Sequence, residues 1–360
     1  MKGSIKIGRF AGIDVFVHWT FSLLLVYVIF TSIKSGLNIN QTLWMLAFVL
    51  SVFVTVVLHE FGHALTAKKF NCNTKDITLL PIGGVARLEK FPDKPIQELW
   101  IAIAGPAVNI GIAVILGLFI HFPDGSELVT ELNNNISSSN FLLNFFGVNI
   151  WLALFNLIPA FPMDGGRVLR ALLSLKLSPT LATNIASKIG QLIALVFVIG
   201  GLFYNPMLII VGVFIFIGAQ QENAMMQMKH TLTGYKVRDV LMTEYATLNA
   251  EDTIHTAVQR ILSSQYKNFL ILEGQQHIGT LSRDEIIQAL AAGGQNESVS
   301  AFMKKNLVEL HPETPLNSIL NLAGSDSTEL MPVVIDGVRI GVIDRENVAE
   351  FLLLQHSLRQ

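Results

Sequence analysis

The sequence has 360 residues, of which 51% are hydrophobic and only 14% are charged, and its formal net charge is −2. Soluble domains carry about 25% charged residues, so a large part of this chain is expected to lie in the lipid bilayer. The near-neutral charge excludes a strongly basic nucleic-acid-binding protein, and the single cysteine excludes an intramolecular disulfide and a thiolate zinc site of the zinc-finger type.

The first two apolar segments run from Phe16 to Ile33 and from Thr42 to Ala67. Each is long enough to cross a bilayer as a helix. A His-Trp pair near the start of the first segment is typical of an interfacial anchor, and His18 is also considered as a residue close to a site. The N-terminus has basic residues but no small-residue cleavage site, so we expect the first helix to be retained.

The second segment ends in an H-E-x-x-H motif, His59-Glu60-Phe61-Gly62-His63. Residues four apart share one face of a helix, so both imidazoles can reach one zinc ion at about 2.0–2.1 Å. Glu60 then lies beside the metal, where a general base takes a proton from water. The alternative is a cytosolic helix end whose histidines cap carbonyls. The preceding apolar run favours function, because ionisable groups at membrane depth are costly.

Four further apolar segments predict a total of six spans: residues 99–120, 141–158, 186–204 and 207–219. Before them, residues 77–88 alternate in polarity and contain Pro81 and two glycines, which predicts an extended or re-entrant segment beside the metal. Small residues in the third span predict close helix packing, and Asn109 either packs or bonds across to the site.

Lysine and arginine precede the first span and follow the second, fourth and sixth spans. The opposite loops, residues 35–41, 121–140 and 205–206, contain neither. The positive-inside bias therefore predicts a multi-pass protein of the cell membrane with both termini in the cytoplasm. The H-E-x-x-H end of the second span would lie toward the cytoplasmic side.

Beyond His230 the composition becomes that of a soluble α/β domain. Two stretches repeat one order of elements, with amphipathic helices at 253–263 and 315–323 and strands at 268–272 and 330–335. Two copies of one unit predict a pair that packs on itself. An unrelated α/β tail is the alternative, which the repeated order disfavours.

A catalytic zinc needs three protein ligands and one open position, and the motif supplies two ligands. Asp164 is the best third candidate, since it follows a span broken by proline and precedes two glycines that let the backbone turn. The alternative is that Asp164 caps a helix over residues 167–175.

These residues resemble the site-2 protease family of intramembrane zinc metalloproteases, peptidase family M50, over residues 5–222. The resemblance is carried by the H-E-x-x-H motif together with Asn156-Leu157-Ile158-Pro159, Met163-Asp164-Gly165-Gly166 and Pro81-Ile82-Gly83-Gly84-Val85-Ala86. The tail resembles a pair of cystathionine-β-synthase (CBS) domains. The resemblance implies a metalloendopeptidase that performs regulated intramembrane proteolysis, cleaving single-span membrane-protein substrates in or near their transmembrane segments within the bilayer.

Carried over by position, the resemblance makes His59, His63 and Asp164 ligands of one Zn2+ per chain. Glu60 would activate the water, and Asn156 would help to hold the substrate or the developing oxyanion. The expected fold is a polytopic α-helical membrane protein of about six transmembrane helices, with an extended segment after the second, plus a soluble α/β CBS pair. The expected domains are residues 1–228, a linker at 229–236, and CBS domains at 237–292 and 298–356.

CBS pairs often bind adenine nucleotides, through a threonine and an aspartate three residues later. Ser282 with Glu285, and Asp344 with Asn347, depart from that pattern. Asp344 would repel a phosphate, so weak or absent nucleotide binding is expected in the second copy, and the first copy stays open. Dimerisation through the pair, gating of substrate entry and docking of a partner are the other roles considered.

Two other functions compete with the protease. In a CBS-regulated channel or transporter, the same ionisable residues would line an ion path. Three ligands on one zinc with a separate carboxylate favour hydrolysis, whereas polar residues dispersed along a pore favour transport. A catalytically silent scaffold is the third alternative, which the intact His, Glu, His and Asp set disfavours.

Overall fold

The structure is a computed structural model that describes residues 3–81, 83–88, 92, 94–319 and 330–358. The chain divides into two compact units, Met1–Ala224 and Met225–Gln360. Each unit is described by itself, and the second is called the tail.

The first unit is mostly helical. Its helices in the described residues are α1 (Thr20–Lys34), α2 (Ile39–Lys69), α3 (Pro95–Gly117), α4 (Gly125–Asn133), α5 (Phe141–Asn156), α6 (Asp164–Ser174), α7 (Pro179–Phe203) and α8 (Met207–Thr231). Four of them, α2, α3, α7 and α8, are long and apolar enough to cross a membrane, whereas α1 and α5 are shorter apolar helices. Only 17–33% of the residues in the four apolar windows are buried within the protein, as expected of helices whose outer faces meet lipid.

The six predicted apolar segments are thus all largely helical, but several boundaries were wrong. Residues 16–18 belong to a strand, and α1 begins only at Thr20. The last segment was predicted to end at residue 219, yet α8 continues to Thr231 and takes in the start of the predicted linker. Hydropathy marks the part of a helix that lipid tolerates, and polar residues extend the same helix without a break.

A four-stranded sheet stands beside the helices, and half of it was not predicted. Its strands are β1 (Ser4–Phe10), β2 (Ile13–His18), β3 (Thr74–Leu80) and β4 (Gly83–Leu88), in that spatial order. The two hairpins are antiparallel, and β2 pairs with β3 in parallel. The predicted extended segment is the β3–β4 hairpin, and it leaves β4 at one edge of the sheet.

The tail repeats one order of strands and helix. The first copy contains β5 (Ala246–Asn249), α9 (Ile254–Ser263), β6 (Asn268–Glu273), β7 (Gln276–Ser282) and α10 (Arg283–Ala291). The second contains β8 (Leu330–Ile335), β9 (Val338–Asp344) and α11 (Arg345–Leu358). Of the helix predicted at 315–323, residues 316–318 form a 3-10 turn, and residues 320–323 lie outside the described residues. Each copy buries its own apolar cluster, around Phe269 in the first and Val333 in the second.

Candidate metal centre

Helix α2 places the two histidines of the motif side by side. The helix starts with a reciprocal cap between Asn38 and Gln41 and runs without interruption past the motif. The rings of His59 and His63 are 4.8 Å apart between centroids, and their residues are only 7% and 8% exposed. The one-turn spacing therefore gives the shared face that the sequence predicted.

Asp164 approaches the histidines from the start of α6. Its Oδ2 lies 3.1 Å from Nε2 of His59 and 3.0 Å from Nε2 of His63. The alternative role as a helix cap is wrong, because the N-cap of α6 is Met163 and Asp164 is the first helical residue. A Cβ at Gly166 would lie 2.6 Å from the backbone nitrogen of Phe161, so this glycine lets the helix start pack against the preceding turn.

Oxygen atoms of α3 orient both histidines through their Nδ1 atoms. Nδ1 of His59 lies 2.7 Å from Oδ1 of Asn109, and Nδ1 of His63 lies 2.6 Å from the carbonyl oxygen of Ile101. A carbonyl oxygen can only accept, so each Nδ1 carries the hydrogen and donates it. Each Nε2 is left with a lone pair that points at Asp164. Of the two roles considered for Asn109, packing and a bond across to the site, the structure shows the bond.

The three converging atoms fit a zinc ion. The two Nε2 atoms are 3.1 Å apart, and the Asp164 oxygen lies at similar distances from both. Three acceptors this close repel one another unless a metal ion or a proton lies between them. Two ligands at 2.0–2.1 Å from a tetrahedral zinc are about 3.3 Å apart, and two imidazoles with one carboxylate are a donor set of catalytic zinc.

Glycines bring α2 and α3 into close contact at this level. A Cβ at Gly105 would lie 2.5 Å from Cε1 of His63 and 2.7 Å from Nε2 of His59. A Cβ at Gly62, on α2, would lie 2.7 Å from the carbonyl oxygen of Ala104. The close packing expected of the small residues in α3 is confirmed. Because Gly105 has no side chain, the two imidazoles pack directly against the backbone of α3.

Glu60 lies next to the edge strand β4. The residue is half-buried, and a Cβ at Gly84 would come within 2.7 Å of its Cγ and 3.3 Å of its Cδ. The structure therefore places the side chain of Glu60, which follows His59 on α2, against the backbone of the β3–β4 hairpin.

Two other candidates have only local contacts among the described bonds. Asn156 is the last residue of α5, and its Nδ2 donates to the carbonyl oxygen of Leu152, 2.9 Å away. His18 lies in β2, with Nδ1 2.7 Å from Oγ1 of Thr20. The substrate role of Asn156 stays a prediction.

In the first copy of the tail, the nucleotide candidates bond to one another. The backbone N–H of Ser282 donates to Glu285, 2.7 Å away, and Nζ of Lys304 lies 2.8 Å from the same carboxylate. Burial raises the pKa of Glu285, but the hydrogen bonds from Lys304 and Ser282 outweigh it and hold that pKa below its ordinary value.

In the second copy, Oδ1 of Asp344 accepts the backbone N–H of Asn347 at 2.7 Å. The Asn347 amide donates to the carbonyl oxygen of Val240, 2.6 Å away. Both side chains thus have partners within the chain.

The tail also contains a cleft of about 300 Å³ that residues of both copies line. Its lining residues are Lys267, Asn268, Arg283, Asp284, Arg345 and Glu346.

Comparison with known proteins gives consistent matches along the chain. The family model of peptidase family M50 matches residues 47–199, and that of the CBS domain matches residues 237–292. A zinc metalloprotease of Methanocaldococcus jannaschii is 33% identical over 97% of this chain and 96% of its own length. Stage IV sporulation protein FB of Bacillus subtilis is 25% identical over 69% of this chain and 85% of its own length. The solved structure of a site-2 protease from M. jannaschii is 40% identical, covering 61% of this chain and 95% of that one with a TM-score of 0.44.

Proposed function

Because this chain belongs to peptidase family M50, we propose that it hydrolyses peptide bonds in or near the transmembrane segments of single-span membrane proteins. The observation that carries the proposal is the convergence of His59, His63 and Asp164 on one point, with Glu60 beside them. In the described part of the chain, four helices are long and apolar enough to cross a membrane, which supports a site that meets its substrates in the bilayer.

His59, His63 and Asp164 would hold the zinc ion. When bound, zinc polarises a substrate carbonyl and makes water nucleophilic at neutral pH. Glu60 takes the proton from the attacking water and delivers it to the leaving amine, which is the work of a general base that then acts as a general acid. Asn109 and the Ile101 carbonyl keep the two imidazoles in the tautomer that leaves Nε2 available.

The substrate would bind by adding a strand to β4. This strand is at the end of the sheet order, so among the described residues no strand pairs with its outer edge. Gly84 of β4 lies against Glu60, so a segment paired with β4 would pass beside the base. A helical substrate has its carbonyls tied up in its own hydrogen bonds, so it would have to unwind before attack.

We further propose six spans, with α1 and α5 as the two short ones, in the cell membrane with both termini in the cytoplasm. Lys68 and Lys69 end α2 just beyond the motif, which supports a metal centre toward the cytoplasmic side. The proposed domains are those expected from the sequence, except that α8 shortens the linker by continuing to Thr231.

The tail is proposed as a regulatory module, with dimerisation as one of its candidate roles. In its second copy, Asp344 bonds within the chain and would repel a phosphate, which supports weak or absent nucleotide binding there. In the first copy, Lys304 and Ser282 compete with a ligand for Glu285.

The channel or transporter alternative is disfavoured by the geometry. The ligand atoms of His59, His63 and Asp164 lie within 4.8 Å of one another. An ion path would instead be expected to spread such groups along its length.

The deciding experiment compares purified wild type with Glu60→Gln in detergent and scores zinc content together with cleavage of a model single-span substrate. We expect the variant to keep about one zinc and to lose cleavage. Glu127→Gln, on the exposed surface of α4, is the matched control and should cleave as wild type does. A wild type without stoichiometric zinc, or one that cleaves nothing and moves ions in liposomes, would reject the protease.

A further inference from the structure

A buried arginine side chain, outside the metal centre, connects three helices. Arg170, on α6, is 6% exposed, and its Nε donates to Oε1 of Glu98 at 2.7 Å. Its Nη2 lies 2.5 Å from the same oxygen, and its Nη1 donates to Glu222. Glu98 lies in the first turn of α3 and Glu222 lies on α8, so one planar guanidinium links α6 to both helices.

The same guanidinium also packs on the turn that precedes Asp164. The Cζ atom of Arg170 lies 5.2 Å from the ring centroid of Phe161, and Phe161 is only 1% exposed. Asp164 is the first residue of α6. Arg170 therefore contacts the turn that precedes Asp164, and it also connects the helix that follows Asp164 to α3 and α8. The chain is thus held on both sides of Asp164.

Each carboxylate partner belongs to a helix that contacts another part of the site. Helix α3, which holds Glu98, also carries the oxygens of Ile101 and Asn109 that accept from the histidines. Helix α8 packs closely against the turn between α5 and α6, because a Cβ at Gly218 would lie 2.6 Å from Cδ of Pro162. Gly218 is one helical turn before Glu222 on α8. The cluster thus ties the helix of the third ligand to the helix that orients the other two.

We propose that Arg170 is a positioning residue that holds Asp164 within reach of His59 and His63, with Glu98 and Glu222 as its supports. A buried ion pair is weak evidence for stability, because apolar residues of similar volume often stabilise as well. A planar guanidinium that contacts Glu98, Glu222 and the Phe161 ring is suited instead to fixing the position of α6. Metal ligands must be held within about 0.5 Å of their productive positions. The inference rests on the proposed zinc site.

The test uses the full chain in detergent and compares Arg170→Met, Arg170→Lys and Glu222→Gln with wild type, and Asp164→Ala serves as the reference for a lost third ligand. Two readouts report the ligand set directly: the dissociation constant for Zn2+ and the visible absorption of the Co2+-loaded protein. We expect Arg170→Met to weaken zinc binding about 10–100-fold, as loss of a supporting contact does, and to shift the Co2+ spectrum toward that of Asp164→Ala. Arg170→Lys keeps the charge but not the planar set of N–H donors, so its zinc affinity should lie between those of Arg170→Met and wild type. Glu222→Gln should weaken zinc binding less than Arg170→Met does.

Arg238→Met is the matched control, because Arg238 pairs with Glu313 in the tail at 2.5 Å and should leave metal binding unchanged. The inference is overturned if Arg170→Met binds zinc with wild-type affinity and spectrum, even if its melting temperature falls. If Arg170→Met does not fold, wild-type metal binding in both Arg170→Lys and Glu222→Gln overturns it. Failure of wild type itself to bind zinc would reject the proposed function instead.

Discussion

Replacing Gly105 by alanine should strongly weaken zinc binding, although it improves the local helix propensity. Alanine is favoured over glycine in a helix interior by about 0.8–1.0 kcal/mol. At this position, however, the added methyl would lie 2.5 Å from Cε1 of His63 and 2.7 Å from Nε2 of His59. The helix backbone and the two rings cannot all keep their places.

The size of the effect follows from these distances. Non-bonded atoms prefer a separation of about 3.5–4.0 Å, so α3 and the rings must part by about 1 Å. That shift would stretch the histidine bonds to Asn109 and Ile101 from 2.7 and 2.6 Å to beyond hydrogen-bonding distance. Each supporting bond contributes about 10–100-fold in metal affinity, so losing both costs at least about 100-fold, or about 2.7 kcal/mol of zinc-binding free energy.

The assay is competition for Zn2+ between a chelator and the purified protein, with thermal unfolding measured in parallel. Gly111→Ala is the matched control on the same helix, because its Cβ would meet no atom within 4 Å. We expect the control to bind zinc as wild type does and to be no less stable. Zinc affinity in Gly105→Ala within threefold of wild type would refute the proposed packing of the histidines on α3.

Three further predictions test the support of the site, the base and the tail. Asn109→Leu should weaken zinc binding about 10–100-fold in the chelator assay, because His59 loses its acceptor, whereas Asn109→Asp keeps an acceptor and should bind within a few-fold of wild type. Gly84→Val should abolish cleavage but leave zinc content intact, since its side chain displaces Glu60; an active variant would contradict that placement. The lowered pKa of Glu285 means that its ionised form stabilises the tail above the ordinary glutamate range, and this contribution is lost as the pH falls through the lowered value. Melting temperatures across that range should therefore fall less steeply in Lys304→Met than in wild type, and parallel curves would speak against the pairing.

The β1–β2 hairpin shows where sequence patterns failed. Its strands carry alternating isoleucine, valine and phenylalanine, but they are short and adjoin a much stronger apolar segment, so residues 16–18 were assigned to a helix. The hairpin pairs with β3, which is far away in the sequence. Partners that complete a sheet from a distance leave no local periodic signal.

Asp164 was the best candidate for the third ligand, but its local sequence left a second role open. Its neighbours fitted either a metal ligand or a helix cap, and no property of residues 156–167 separates the two. The choice depends on contacts to His59 and His63, which are more than 100 residues earlier in the chain. The packing of α6 against α3, which itself packs against α2, turns the carboxylate toward the histidines.

The sequence by itself determined what short-range geometry controls. The spacing of His59 and His63 fixes two ligands on one helical face, because a helix repeats every 3.6 residues. Long apolar runs indicated the lipid-facing helices, and two similar stretches indicated the repeated tail. Asp164 was already the candidate third ligand in the sequence, but tertiary structure alone decided the direction of its carboxylate. It also decided the acceptors on α3, the contact of β4 with Glu60, and the two carboxylate contacts of Arg170. These depend on which helices meet, and that is set by close contacts between residues distant in the chain.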